Sequence, residues 1–105
     1  VSYSSGTATV SHTSGSTGGA AVTLADATSG VVKSSSGGFT LYTITTATVF
    51  GATTDGRSVM AEVQDTSNYA TVFTEVERTS TTVVVKFKGS ITDGDYRALL
   101  YSVAN

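Results

Sequence analysis

Val83-Val84-Val85-Lys86-Phe87-Lys88 is the stretch that decides the fold. Val83, Val85 and Phe87 occupy every second position, with the two lysines pointing the other way, and this period of two predicts a strand with one buried face. β-branched and aromatic side chains pack well on a pleated surface but lose rotamer freedom in a helix. We therefore expect this segment to be a strand of an antiparallel sheet, with Val83, Val85 and Phe87 facing the core.

The composition of the whole chain favours the same class of structure. Thr, Ser, Val and Gly dominate, whereas the strong helix formers Leu, Lys, Glu, Gln and Met are scarce. A length of 105 residues fits one domain with one modest core. The chain has no Cys, so packing, hydrogen bonding or association must stabilise it without disulfides.

Several other segments read as short strands separated by turn residues. The alternation predicts one long extended run over 39–50, a strand over 58–64, a turn at Asp65-Thr66-Ser67-Asn68, a returning strand over 69–78 and a closing strand over 95–103. Seven or eight such strands predict an all-β, antiparallel β-sandwich of the jelly-roll kind.

The first third of the chain carries a weaker pattern. Residues 1–38 are rich in Ser, Gly and Thr around short apolar pieces, and we expect short strands that belong to the same domain as the core sandwich at 39–105. The clusters at 14–19 and 34–38 are interpreted as turns. The chain begins at Val1 without Met, which suggests a processed product or a piece of a longer protein.

Charge and hydropathy argue against two classes of partner. Six basic residues scattered among eight acidic ones give a net charge of −2 and no basic stripe to neutralise nucleic acid. No apolar run approaches the roughly 20 residues that span a bilayer, so we expect no membrane insertion.

The inventory of catalytic groups is thin. His12 is the single histidine, and no serine sits in a nucleophile-elbow motif that would build a triad around it. Glu75 and Glu77 fall on the same side of one predicted strand, which is typical of a solvated face and not of two carboxylates across a cleft. We expect a protein that is not an enzyme and uses no cofactor.

Two Asp-Gly pairs could suggest calcium. Asp93-Gly94-Asp95 offers two oxygen ligands where Ca²⁺ prefers six to eight, and neither it nor Asp55-Gly56 forms an EF-hand loop. A tight turn, in which Gly accepts a positive φ, explains both pairs more simply. We predict no metal site.

Binding groups are better represented than catalytic ones, because loops on a rigid sandwich present aromatic and polar side chains to ligands. Proteins commonly bind a sugar through the face of an aromatic ring together with a few polar side chains beside it. Tyr69 and Tyr96 also fit a purely structural role as strand-starting tyrosines that cover the core. The candidate binding residues are Asp55, Arg57, Asp65, Asn68, Tyr69, Asp93, Asp95, Tyr96 and Arg97.

The C-terminal half resembles a known family. The stretch 58–73, the Arg78-Thr79 turn, the Val-x-Val-x-Phe strand at 83–87 and the segment 95–100 are similar to a module at the distal ends of bacteriophage tail fibres. The likeness covers about 49–103. In that family a His-Asn-Leu-Gly-like stretch precedes the first matched strand, whereas residues 50–56 here keep glycine and lack the histidine.

The resemblance implies a viral surface protein, located on the virion outside the cell, that recognises a host glycan or outer-membrane receptor as a homotrimer. Met60, Phe73 and Leu99 are the expected occupants of the trimer axis. Two other functions remain open. One is a virion structural role, such as head decoration or fibre attachment to other virion proteins, and the other is a carbohydrate-binding module of a secreted bacterial protein.

Overall fold

Two four-stranded antiparallel sheets face each other in a computed structural model that describes residues 2–4, 7–9, 19–51 and 53–102. The all-β sandwich of eight antiparallel strands is confirmed. The strands are β1 (Ser2–Ser4), β2 (Thr7–Thr9), β3 (Gly19–Thr23), β4 (Val31–Ser36), β5 (Phe39–Thr45), β6 (Val59–Asp65), β7 (Thr71–Val72), β8 (Glu75–Arg78), β9 (Thr82–Lys88) and β10 (Tyr96–Ser102). A helix α1 (Thr46–Phe50) and a 3-10 turn (Gly56–Ser58) separate β5 from β6.

Strand order defines the two layers. Sheet I has the order β3-β10-β6-β7, and sheet II has the order β4-β5-β9-β8. Strands β1 and β2 pair with each other in a separate two-stranded sheet, while β3 and β4, which come from residues 19–36, complete the sandwich. Of the turn predicted at 14–19, Gly19 belongs to β3, while residues 14–18 and His12 lie outside the described residues.

The core forms where the alternation of β9 predicts it. Val83, Val85 and Phe87 are buried, and they pack with Leu100 of β10 and Val63 of β6 in one apolar cluster. The two sheets also meet through aromatic rings, because Phe87 of sheet II stacks on Tyr96 of sheet I with 4.8 Å between ring centroids. These contacts stabilise the sandwich in the absence of disulfides.

The predicted run 39–50 is wrong in its second half. The strand ends at Thr45 because Thr46 is drawn into the interior, where its hydroxyl donates to the carbonyls of Thr54 and Thr81 at 2.6 and 3.1 Å. One short helical turn follows and ends at Gly51, whose φ of 73° is left-handed.

The predicted strand 69–78 is also divided. Its first part, β7, pairs with β6 in sheet I, and its second part, β8, pairs with β9 in sheet II. Between them the Thr74 hydroxyl donates to the carbonyl of Lys86, which fixes the crossing from one sheet to the other. In the N-terminal third, Ser34–Ser36 belong to β4, and only Gly37 and Gly38, both with positive φ, make the turn.

The free edge of β4 is covered by the loop 24–30. The N–H of Val31 donates to the carbonyl of Thr28, and the N–H of Lys33 donates to a carboxylate oxygen of Asp26, each at 3.0 Å. These are the donors that a neighbouring strand would otherwise bind. The loop therefore protects this part of the edge against pairing with another chain.

Gly56 has a different role from the positive-φ turn that was predicted for Asp55-Gly56. Its φ is not left-handed, and an added Cβ would lie 2.4 Å from the carbonyl oxygen of Thr79 and 2.5 Å from that of Thr82. Glycine is required here because the backbone of the β8–β9 turn passes against it. Gly94, in contrast, has the expected positive φ of 90°.

Replacing Gly56 with Ala is expected to lower the free energy of unfolding by about 1–3 kcal/mol, since backbone carbonyls must move to admit the methyl group. Chemical denaturation monitored by circular dichroism measures the change. Gly19→Ala is the matched control, because its Cβ would meet ordinary contacts at 3.5 Å and its φ is not left-handed. Equal stabilities of the two variants would contradict this assignment.

Candidate functional site

The loop 66–70 between β6 and β7 is rigidly built. The side chain of Asp65 accepts bonds from the Ser67 N–H at 2.8 Å and the Ser67 hydroxyl at 2.6 Å, and these bonds lower the pKa of that carboxyl. Asn68 accepts from the N–H of Ala70 at 2.9 Å, and the Tyr69 N–H donates to the carbonyl of Asp65 at 2.8 Å. Asp65 and Asn68 therefore hold the loop in shape.

A second loop braces the first. The N–H of Thr66 donates to the carbonyl of Asp95 at 2.9 Å, and the Thr66 hydroxyl donates to the carbonyl of Gly94 at 2.7 Å. The side chain of Asp95 is exposed beside this contact. The β6–β7 and β9–β10 loops thus form one connected surface.

Tyr69 is the most unusual residue on this surface. Its φ of 61° is left-handed, and no other non-glycine residue in the described ranges has a positive φ. A left-handed backbone costs an L-residue about 1–2 kcal/mol. Tyr69 as a whole is 62 % exposed, so burial in the core does not offset this cost. Strained residues of this kind cluster at ligand sites.

Arg97 lies beside Tyr69 on the outer face of sheet I. Its guanidinium carbon is 5.0 Å from the centroid of the Tyr69 ring, and its Nε donates to the side-chain oxygen of Gln64 at 3.0 Å. Gln64 in turn donates to Glu62 at 3.3 Å, and Glu62 also accepts from Thr71 at 3.4 Å. We call Tyr69, Arg97, Gln64, Glu62 and Thr71 the Tyr69 platform.

Sequence reasoning identified Tyr69 and Arg97 but missed Glu62, Gln64 and Thr71. Glu62 and Gln64 follow from the alternation of β6, because Val59, Ala61 and Val63 face the core and the intervening residues face outward. The missing signal was the register, which places Gln64 opposite both Arg97 and Thr71.

The remaining candidates lie elsewhere. Asp55 and Arg57 are bound to each other, with Nη2–Oδ2 and Nε–Oδ1 distances of 2.7 and 2.9 Å, and this pairing lowers the pKa of Asp55 to about 2. They precede β6, whereas Tyr69 follows it, and seven residues of strand span roughly 20 Å. Tyr96 is half-buried and packs against the core through Phe87.

Asp93 ties three segments together away from the platform. Its carboxylate accepts from the Lys33 ammonium at 2.9 Å, the Tyr42 hydroxyl at 2.9 Å and the Asp26 N–H at 3.1 Å. The Lys33 ammonium also donates to the carbonyl of Ile91 at 2.8 Å. Burial first, and then the bond to Asp93, raise the pKa of the Tyr42 hydroxyl. Asp93 thus closes the β9–β10 loop onto sheet II.

The described residues form neither a cluster of metal ligands nor a membrane-spanning helix. Within 19–51 and 53–102, no three histidine, aspartate or glutamate side chains converge on a point that could hold a metal ion. No helix in the part of the chain that the structure describes is long and apolar enough to cross a membrane.

The Asp93 bonds predict an acid dependence of stability. Lys33 above all, then the Asp26 N–H and Tyr42, lower the pKa of Asp93 in the folded state. Such a carboxyl stabilises the fold above its unfolded pKa of about 3.9 and loses that contribution as the pH falls further. We expect Asp93→Asn to be less stable than the wild type at pH 7 and to lose less stability below about pH 4.

Denaturant titrations from about pH 2 to about pH 7 measure both effects, because this range brackets the ordinary carboxyl pKa of about 3.9. Asp95→Asn is the control, because its exposed carboxylate makes none of the three bonds to Lys33, Tyr42 and Asp26. Parallel acid profiles for the wild type and Asp93→Asn would refute the role given to this carboxylate.

Comparison of the chain with protein-family models, with curated protein sequences and with solved structures found no match. The likeness to the distal module of phage tail fibres therefore stays a prediction.

Proposed function

We propose that this chain is a non-catalytic binding domain that recognises a surface glycan through the Tyr69 platform. The observation that carries the proposal is the exposure of Tyr69. The residue is 62 % exposed and has a left-handed backbone, and its ring lies beside Arg97. A solvent-facing aromatic ring is a surface on which the apolar face of a sugar can stack.

The polar neighbours complete such a site. Gln64, Glu62 and Thr71 present amide, carboxylate and hydroxyl groups beside the ring, and these can exchange hydrogen bonds with sugar hydroxyls. The loop behind Tyr69 is bonded on both sides, so little ordering entropy is lost when a ligand binds. A preformed surface of this kind favours binding over chemistry.

The biological setting that we propose is the tip of a bacteriophage tail fibre, on the virion and outside the cell. The host partner would be a surface glycan, or an outer-membrane receptor that carries one. A secreted carbohydrate-binding module would use the same platform as a monomer. The two settings differ in whether the chain associates with itself.

An exposed apolar surface supports self-association. Met60, Leu99 and Tyr101 line a depression of about 480 Å³ on the outer face of sheet I, and Met60 is 62 % exposed. Phe73, just after β7, is 95 % exposed. We propose that Met60 and Leu99 pack about the axis of a homotrimer, which would multiply a weak sugar site into an avid one. A virion structural protein would use the same apolar surface to bind other virion proteins.

Tyr69→Ala is expected to abolish binding to bacterial cells or to their purified surface polysaccharides, because the stacking ring is lost, while the fold remains. Tyr69→Phe keeps the ring and should retain binding to within a fewfold. Pull-down on immobilised polysaccharide measures affinity, and circular dichroism checks the fold. Undiminished binding by a folded Tyr69→Ala protein would remove the platform from consideration.

Met60→Lys is expected to convert a trimer into a monomer, since a charge placed in a desolvated interface is unfavourable. Val32→Lys is the matched control, because Val32 is 60 % exposed on sheet II. Light scattering after size exclusion measures the mass of each protein. A wild-type chain that is monomeric at all concentrations would contradict the trimer and favour the secreted module.

A further inference from the structure

Arg97 carries a charge that its neighbours leave uncompensated. Its bonds in the described part of the chain are the one from Nε to Gln64 and the ring contact with Tyr69, and both partners are neutral. The two terminal nitrogens, Nη1 and Nη2, donate to no group among the described residues. These nitrogens form the end of a planar fork that matches a carboxylate.

Arg57 shows what a filled fork looks like in the same molecule. Asp55 accepts from its Nε and Nη2 and occupies that edge of the guanidinium with both carboxylate oxygens. Arg97 is also bonded through Nε, but by the amide oxygen of Gln64 in place of a carboxylate. This bond orients the Arg97 side chain, while Nη1 and Nη2 remain available to a ligand.

Glu62 does not fill this role. Its carboxylate accepts from the amide of Gln64 at 3.3 Å and from the hydroxyl of Thr71 at 3.4 Å, and it forms no ion pair with Arg97. Gln64 stands between the two charges and bonds to each of them. The carboxylate of Glu62 is therefore bonded to Gln64 and Thr71 and not to Arg97.

We propose that the Tyr69 platform selects acidic sugars, with Nη1 and Nη2 of Arg97 gripping the carboxylate of a hexuronic acid or a similar carboxylated sugar. The sugar ring then lies against Tyr69, whose centroid is 5.0 Å from the guanidinium carbon. This selectivity rests on the proposed glycan-binding function of the same site. A neutral sugar would stack on Tyr69 and leave the Arg97 charge unused.

The test uses full-length protein and a panel of uronic-acid-containing bacterial polysaccharides, each paired with the same polymer after its carboxyl groups have been reduced to alcohols. Calorimetry or biolayer interferometry measures each affinity. We expect the reduced polymers to bind about ten- to a hundredfold more weakly, as loss of a charged hydrogen-bonded pair implies.

Two variants locate the effect. Arg97→Gln should lose the preference for the carboxylated polymer and bind both forms weakly, because its amide keeps some hydrogen bonding without the charge. Arg57→Gln is the matched control, because it makes the same change at an exposed guanidinium that is already bound to Asp55 outside the platform, and it should keep the preference.

The outcomes separate the two proposals. Equal binding of acidic and reduced polymers that still depends on Tyr69 overturns the acidic selectivity and leaves the glycan-binding function standing. Equally tight binding of a phosphate-substituted polysaccharide overturns the assignment to a carboxylate. Failure of the wild-type protein to bind any polymer in the panel counts against the glycan-binding function, and the selectivity falls with it.

Discussion

The stacking of Phe87 on Tyr96 is the contact on which the other features depend. The rings join the end of β9 to the start of β10 across the two sheets, and Tyr42 meets Phe87 edge-on at 6.1 Å between centroids. Because successive side chains on a strand point to opposite faces, an inward Tyr96 requires an outward Arg97. The same register places Arg97 opposite Gln64. Packing inside the core thus positions Arg97 and Gln64 of the Tyr69 platform outside it.

The parts of the fold that could be predicted are those governed by local alternation. β9 and β6 were predicted because β9 buries every second residue and β6 buries Val59 and Val63, with Ala61 packed against the core between them. The segments 39–50 and 69–78 were not, because both change partner midway. Thr46 and Thr74 decide those changes with hydroxyl bonds to carbonyls distant in sequence. A threonine that bends the chain looks the same in the sequence as a threonine in a strand.

The residue types of the candidate site could be predicted from the sequence better than the role of each residue. Tyr69 and Arg97 were selected separately, Arg97 as a neighbour of Tyr96 in sequence, and the structure brings the two together. Asp65 and Asn68 were selected with them, but their side-chain oxygens bind the loop's own N–H groups. Asp93 was selected as a polar neighbour of Tyr96, whereas the structure bonds it to Lys33 and Tyr42, which lie more than 50 residues away in sequence. Long-range partners of this kind are set by topology, which the alternation does not contain.

The left-handed backbone at Tyr69 bears on the proposal that the Tyr69 platform binds a ligand. Gly or Asn would adopt a φ of 61° with less strain, and Asn68 stands immediately before the strained position. A tyrosine there destabilises the loop, and its largely exposed ring recovers little of that cost through burial. The contact with Arg97 contributes roughly 0.5–1 kcal/mol at an exposed site, which does not exceed the strain. This contact alone therefore does not offset the strain at Tyr69, and the proposed stacking ligand is the interaction that would do so.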